Sequence, residues 1–174
     1  MFKILLIASI FLFVISFLSC SKKEYTEVGI KQISHTIDSL LYTAVGESFD
    51  WGSADSYSSF YAYFSDSVLV FINEKLNSRS GGGESINWYY IYKNNAVQYV
   101  EKRLEIVSDA ENHKRKSILN MTVQITPSGD VLNYDKIING QRKQLSGEES
   151  DWIYKHSKEL INIVKKHSKI LKRN

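Results

Sequence analysis

The spacing of apolar residues changes along the chain, and this change separates predicted helices from predicted strands. Between residues 30 and 45 apolar side chains recur every three or four positions, which predicts a first helix ended by Gly46. Aromatic rings then recur at helical spacing from Tyr57 to Phe64, after a possible cap at Ser53. This spacing predicts a second, shorter N-terminal helix.

From Ser67 onward the spacing becomes two, which is typical of strands. Six strands are predicted, at 68–72, 86–93, 96–107, 117–126, 131–138 and 141–145. Turn residues separate them: Asn94-Asn95, Pro127-Ser128-Gly129, and Asn139-Gly140, which is a strong hairpin signal. Because the links are short, we expect an antiparallel meander.

The chain closes with a long amphipathic helix. Ser146 and Glu149 have the spacing of a capping box. The fold class is therefore predicted to be α+β: an antiparallel meander of about six strands, with two N-terminal helices and one long C-terminal helix packed on it.

The predicted order of elements resembles the helix-grip fold of the START and pollen-allergen type. That resemblance implies a curved sheet around the last helix, with a cavity between them. It rests on element order only, and its first strand would have to come from residues 23–28.

The N-terminus has the three parts of a secretory leader. Lys3 supplies a positive charge, residues 4–18 form an uncharged apolar run, and the only cysteine, Cys20, follows directly. Phe17-Leu18-Ser19-Cys20 resembles the lipobox of bacterial lipoproteins, with Phe17 where leucine is usual. The resemblance implies cleavage before Cys20, a diacylglyceryl thioether on its sulfur and an N-acyl group such as palmitate.

This interpretation divides the chain into a signal peptide at 1–19, a lipidated Cys20 with a tether at 20–27, and one α+β domain at 28–174. Two alternatives stay open. The leader could remain as an uncleaved membrane span, or an ordinary signal peptide could be cut nearby with Cys20 incidental.

Composition narrows the class of protein. The formal net charge is +3, too mild for a nucleic-acid binder, which usually carries a basic patch. A single cysteine cannot form an internal disulfide, so the fold does not depend on redox conditions.

Motifs for chemistry are scarce. Gly81-Gly82-Gly83 leads into a predicted strand and lacks the Lys-Ser/Thr pair of a phosphate loop, so it is interpreted as a hairpin loop. His156 and His167 are three helical turns apart, too far to share a metal ion. No nucleophile motif is present, so no catalytic residue, metal ligand or cofactor is predicted.

The strongest candidate for a binding surface follows from the hairpin register. If Asn94-Asn95 is a two-residue turn without a bulge, four aromatic rings share one face with an acid and a base at its edge. The candidate ligand-binding residues are Trp88, Tyr90, Tyr92, Tyr99, Glu101 and Arg103. Alternatively, the rings pack beneath the helices, since aromatic cross-strand pairs stabilise sheets in their own right.

The expected function is that of a membrane-anchored lipoprotein of the bacterial cell envelope, held at the inner or outer membrane with its domain outside the cytoplasm. The domain is expected to be a non-catalytic module that binds an envelope protein or a glycan. The alternatives are a carrier of a hydrophobic small molecule in a sheet–helix cavity, and a hydrolase with an unrecognised site.

Overall fold

The computed structural model describes residues 25–52, 56–78, 84–108 and 114–173. The two α-helices are α1 (Glu27–Leu40) and α2 (Gly147–His167), and a short 3-10 turn follows at Leu171–Arg173. The strands are β1 (Val45–Gly52), β2 (Ser56–Ser65), β3 (Val68–Ser78), β4 (Glu84–Tyr92), β5 (Asn95–Ser108), β6 (Lys114–Ile125), β7 (Val131–Ile138) and β8 (Gln141–Arg142). The predictions about the leader, Cys20, Ser53 and the glycines at 81–83 concern residues outside these ranges.

The eight strands form one antiparallel sheet in which each strand pairs with its neighbours in sequence. About 53% of the described residues lie in strands, with one described helix before the sheet and one after it. The predicted meander is therefore right in its connectivity, but the predicted fold class is wrong, because the sheet has eight strands and, within the described residues, a single helix precedes it.

The error lies between residues 45 and 65, where a β-hairpin replaces the predicted second helix. In β2, Phe60, Ala62 and Phe64 alternate and are buried on one side of the sheet. Aromatic side chains favour strands when they can pack on a half-buried sheet surface. Gly46, predicted to end the first helix, instead pairs with Tyr63 in the β1–β2 ladder.

The two helices lie on opposite faces of the sheet. On the α1 face, Ile37 packs against Val70 and Phe71, with Trp88 and Tyr90 beside them. On the α2 face lies the main core, to which the last helix contributes Ile153, Leu160, Ile161 and Val164. The helix-grip resemblance is not sustained, since α1 begins at Glu27 and residues 25–28 supply no strand.

Local signals fix several ends and turns. The Ser146 side chain accepts from the backbone N–H of Glu149, whose carboxylate accepts from the Ser146 N–H, so the predicted capping box is confirmed. Asn139 and Gly140 have φ values of 51° and 79°, as the predicted hairpin turn requires. The β4–β5 turn uses Lys93 and Asn94 rather than Asn94 and Asn95.

Candidate functional site

The predicted aromatic face is divided between the two sides of the sheet. Tyr92 pairs with Asn95, and a bulge at Val97 shifts the register so that Tyr90 faces Gln98 and Tyr89 faces Tyr99. Beyond this bulge the predicted register is therefore wrong by one residue. Trp88 and Tyr90 lie on the α1 face, whereas Tyr99, Glu101 and Arg103 lie on the α2 face.

On the α1 face the predicted rings pack against the first helix. The ring of Tyr90 meets that of Phe71 edge-on at 5.1 Å, and Tyr92 contacts Tyr25 at 6.4 Å. Burial raises the pKa of the Tyr90 hydroxyl to about 12, with a further contribution from the charge and hydrogen bonding of Asp38. These contacts position α1 on the sheet.

On the α2 face the strands carry a buried polar network centred on Glu74, which is fully buried on β3. Nε2 of His156, on α2, lies 2.8 Å from Oε1 of Glu74. Asn87 Nδ2 and the Tyr89 hydroxyl both donate to Oε2 of Glu74, each at 3.0 Å. Each oxygen of this carboxylate therefore has a partner, which buried charge requires.

The network continues toward solvent along β5. The Tyr99 hydroxyl lies 3.2 Å from Oδ1 of Asn87 and donates to Oε2 of Glu101 at 2.9 Å. Oε1 of Glu101 is 3.3 Å from Nε of Arg103, and Arg103 Nη1 is 3.2 Å from Glu105. Polar contacts thus extend from the buried His156 to the part-exposed Arg103.

Aromatic rings enclose the imidazole of His156. The indole of Trp152 stacks on it with a centroid distance of 4.7 Å, and Trp51 meets it edge-on at 5.0 Å. His156 is buried, while Trp152 is 42% exposed. Trp152 therefore connects the buried network to the surface.

The two buried carboxyls of the network have opposite pKa shifts. Burial acts to raise the pKa of Glu74, but the hydrogen bond and positive charge of His156 and the hydrogen bond from Asn87 outweigh it, so the pKa is lowered. Burial raises the pKa of Glu101 despite the compensating charge of Arg103 and the hydrogen bond from Tyr99. Glu74 is thus held ionised, whereas Glu101 takes up a proton more readily.

Above Glu101 a cleft of about 410 Å³ opens to solvent between the sheet and the start of α2. Its polar lining includes Glu101, Arg103, Glu148 and Glu149, with Trp152 beside them, and its apolar lining includes Leu76, Met121 and Ile153. The volume falls within the roughly 300–1,000 Å³ typical of small-molecule sites. Three of the six predicted site residues (Tyr99, Glu101 and Arg103) therefore lie in or directly beneath this cleft.

Glu149 is fixed at the rim of the cleft by two partners. One oxygen forms an ion pair with Lys136, and the other accepts from the backbone N–H of Ser146 at 2.8 Å. Burial acts to raise the pKa of this carboxyl, but the hydrogen bonds from Lys136 and Ser146 lower it overall. Glu149 is thus held ionised at the start of α2.

A second concavity lies on the α1 face. A groove of about 960 Å³ runs beside α1, with an apolar lining that includes Ile33, Ile37, Leu40, Val68, Val70 and Ile91. Gln32, Asp66 and Lys93 are among its polar lining residues. It is suited to an apolar ligand, but it lies beneath the first helix and not beneath the last.

The sequence did not predict a site role for four residues: Glu74, Asn87, His156 and Trp152. The helical spacing of the last helix puts His156 among its apolar positions, and the side chain is buried there, whereas Trp152 is 42% exposed beside it. The available signal was a titratable side chain on that apolar face together with acids on inward-facing strand positions. Spacing alone does not show which acid meets the histidine.

Within the described residues, no three His, Cys, Asp or Glu side chains are placed to hold a metal ion. Neither described helix combines the length and the apolar character needed to cross a bilayer. No family model, curated protein or solved structure matches the chain.

Proposed function

We propose that the chain is a lipoprotein of a bacterial cell envelope, anchored through acylated Cys20, whose domain is a non-catalytic binding module outside the cytoplasm. The anchor is supported by the lipobox-like sequence at residues 17–20 behind an apolar leader. Its partners are the membrane, through Cys20, and an envelope glycan or protein, with no role for nucleic acid.

The observation that carries the binding role is the cleft, in which half-exposed Trp152 stands beside the Glu101–Arg103 ion pair. A binding site needs polar groups that are held in place before the ligand arrives. Glu101 is held by Tyr99, and the back of Trp152 is held by His156, which is itself paired with Glu74. The buried network thus fixes the groups that a ligand would meet.

The same contacts favour binding over hydrolysis. A hydrolase would use a pair of carboxylates with separated pKa values, and Glu101 and Glu149 have such values. However, both oxygens of Glu149 are engaged by Lys136 and the helix cap, and both oxygens of Glu101 lie against Tyr99 or Arg103. These carboxylates therefore act as structural and hydrogen-bonding groups.

A glycan is the ligand class that suits this lining best. An indole presents an apolar surface against which a sugar ring can pack. Carboxylates accept hydrogen bonds from hydroxyl and amide groups, and a guanidinium donates them. The cleft offers all three groups within one small-molecule volume.

The anchor is tested by metabolic labelling with a fatty acid, comparing the native chain with Cys20→Ala. We expect label only in the native chain, with the thioether-modified Cys20 as the first residue of the mature protein. Equal incorporation into both forms would exclude acylation at Cys20.

The cleft is tested by titrating the purified protein with soluble β-linked N-acetylglucosamine oligomers and following the heat of binding by isothermal titration calorimetry. Trp152→Ala should weaken binding by about 2 kcal/mol or more, roughly thirty-fold, as expected of a central aromatic contact. Tyr61→Ala removes a half-exposed aromatic ring from the opposite face and is the matched control. Absence of binding by the native protein, or equal losses in both variants, would refute a glycan site here.

The groove beside α1 favours a second candidate, a carrier of a hydrophobic small molecule. Thr36 lines this groove, whereas Ser39 is exposed on the same helix away from it. If the groove carries an apolar ligand, Thr36→Trp should abolish binding of a dansyl-labelled fatty acid and Ser39→Trp should not. Equal binding of the fatty acid by the two variants would rule out a carrier function for this groove.

A further inference from the structure

Helix α1 covers only part of the sheet face on which it packs. It packs on Val70, Phe71 and Tyr90, near the ends of β3 and β4 that carry the tight turns. Toward the other end of β4, β5 and β6 the same face carries exposed apolar side chains: Ile86 at 37%, Leu104 at 49%, Ile106 at 60% and Ile118 at 50%. These four residues are called the aliphatic patch.

The strand register shows that the aliphatic patch is contiguous. Leu104 pairs directly with Ile118, and Ile106 lies two residues further along the same face of β5. Ile86 pairs with Lys102, the residue two before Leu104, so it stands diagonal to Leu104. Soluble monomers rarely expose a contiguous apolar surface of this kind without using it.

Lysines surround the aliphatic patch. Ile86 lies between Lys75 on β3 and Lys102 on β5, and Ile106 lies opposite Lys116 on β6. All three lysines are exposed. Glu84 lies 2.9 Å from Lys75 and neutralises it, so among the described residues Lys102 and Lys116 leave an excess of positive charge at the aliphatic patch.

The described chain begins on this face of the sheet. The ring of Tyr25 contacts Tyr92, which also lines the groove beside α1. Cys20 precedes Tyr25 by five residues, and five residues span at most about 18 Å in any conformation. An acylated Cys20 would therefore keep a bilayer within reach of the Tyr92 end of the α1 face, with the aliphatic patch at the other end of the same face, roughly 20 Å along β4. The cleft would open on the opposite face.

We propose that the aliphatic patch and its lysines rest on the anionic headgroup surface of the membrane. The inference rests on the proposed anchor at Cys20. The apolar side chains enter the headgroup boundary, and Lys102 and Lys116 lie among the lipid phosphates, each strengthening the contact by about five-fold. The anchor holds the protein at the bilayer, and the aliphatic patch sets its orientation so that the cleft faces away from the membrane.

The test uses the acylated full chain in vesicles, with one added cysteine labelled by an environment-sensitive fluorophore. Ile106→Cys places the probe in the aliphatic patch, and Glu159→Cys places it on the exposed side of α2 as the control. In vesicles of phosphatidylcholine with phosphatidylglycerol, the probe at 106 should show blue-shifted emission and quenching by lipid-borne quenchers. The probe at 159 should show neither. Adding Lys102→Gln and Lys116→Gln should reduce the blue shift at 106.

Flotation of the protein with the vesicles in high salt reports the anchor separately. Failure to float would refute the anchor, whereas flotation with identical emission from both probes would refute only the orientation. A blue shift at 106 of equal size in phosphatidylcholine alone would overturn the role of the lysines. If the probe at 106 were shielded in native envelopes but not in pure lipid, the aliphatic patch would belong to a protein partner and the proposal would fail.

Discussion

Glu74 on β3 and His156 on α2 are 82 positions apart in sequence, and Nε2 of His156 lies 2.8 Å from Oε1 of Glu74. Their side chains are 0% and 3% exposed. Because the Glu74 carboxylate is held ionised, Nε2 carries the hydrogen and donates it. This contact fixes where α2 sits on the sheet, and with it the position of Trp152 at the cleft.

Removing the histidine from this pair should destabilise the fold strongly. In His156→Leu the Glu74 carboxylate would remain buried without its partner, which typically costs about 3–5 kcal/mol. Urea unfolding of the purified protein, followed by circular dichroism, measures the difference.

The exposed ion pair between Lys155 and Asp151 on the same helix is the matched control, with a distance of 2.6 Å. Lys155→Ala should cost no more than about 1 kcal/mol, because solvent screens the pair. A loss in His156→Leu as small as that in Lys155→Ala would show that the buried pair does not position α2.

The contribution of Glu101 to the stability of the fold should change with pH in the opposite direction to that of Glu74. The pKa of Glu101 is raised from 4.5 in the fold, so its contribution to stability is present below pH 4.5 and declines as the pH rises through the folded-state value. Glu101→Gln should therefore gain stability relative to the native protein between acid and neutral pH. Unfolding free energies measured across this range provide the test.

Glu74→Gln is the comparison for that titration. The pKa of Glu74 is lowered from 4.5, so its contribution is present above pH 4.5 and is lost as the pH falls through the folded-state value. This variant should therefore lose stability relative to the native protein as the pH rises toward neutrality. If both variants changed in the same direction, the opposite shifts assigned to the two carboxyls would be incorrect.

Features set by a few neighbouring residues could be predicted from the sequence. The Ser146–Glu149 capping box and the Asn139-Gly140 turn each depend on chemistry within four positions, and both are present. The existence and order of the strands from β3 to β8 also follow from alternation and turn residues, although β3 runs to Ser78 and not to residue 72, and β8 has two residues where five were predicted. Their antiparallel order follows from the short links between them.

The β1–β2 hairpin could not be predicted in this way, because the spacing of Tyr57, Phe60, Tyr61 and Phe64 satisfies a helix. The same segment also places Phe60, Ala62 and Phe64 on one side of a strand. Pairing with β1 and β3 decides between the two, and that pairing is a property of the whole sheet.

The division of the predicted binding face has a single cause, the bulge at Val97. A shift of one residue moves each later side chain of β5 to the opposite face of the sheet. The shift therefore places Tyr99, Glu101 and Arg103 on the α2 face. There Tyr99 contacts Asn87, and the other two residues line the cleft. The meeting of Glu74 with His156 depends on how α2 docks on the sheet, which local spacing does not encode.

Gly129 and Gly140 allow the stability cost of backbone strain to be measured separately from the cost of steric crowding. Gly129 and Gly140 have φ values of +96° and +79°, where an L-residue is strained by roughly 1–2 kcal/mol. A Cβ at Gly140 meets no atom within 4 Å, whereas a Cβ at Gly129 would lie 3.0 Å from the ring of Tyr154. In thermal unfolding, Gly140→Ala should therefore show the loss of stability that comes from strain alone. Gly129→Ala should show a larger loss. Equal losses would mean that Tyr154 moves aside without cost.

The end of α2 should depend on a single carboxylate of the edge strand β1. The Ser168 hydroxyl donates to Oε2 of Glu47 at 2.6 Å, and the backbone N–H of Lys169 donates to Oε1 at 3.0 Å. Burial acts to raise the pKa of Glu47, but the hydrogen bonds from Ser168, Lys169 and Ile170 lower it overall. The ionised carboxylate thus ties the residues that follow α2 to the sheet.

Glu47→Ala should release this segment and cost about 1–3 kcal/mol, since hydrogen bonds to a charged acceptor are among the stronger ones. Hydrogen exchange should accelerate at the amides of residues 168–171, while the amides around Leu160 remain protected by the core. Glu159→Ala, which removes an exposed carboxylate from α2 itself, should leave exchange unchanged. Unaltered exchange at 168–171 in Glu47→Ala would mean that packing of Ile170 and Leu171 against the core, and not the carboxylate, holds the C-terminus in place.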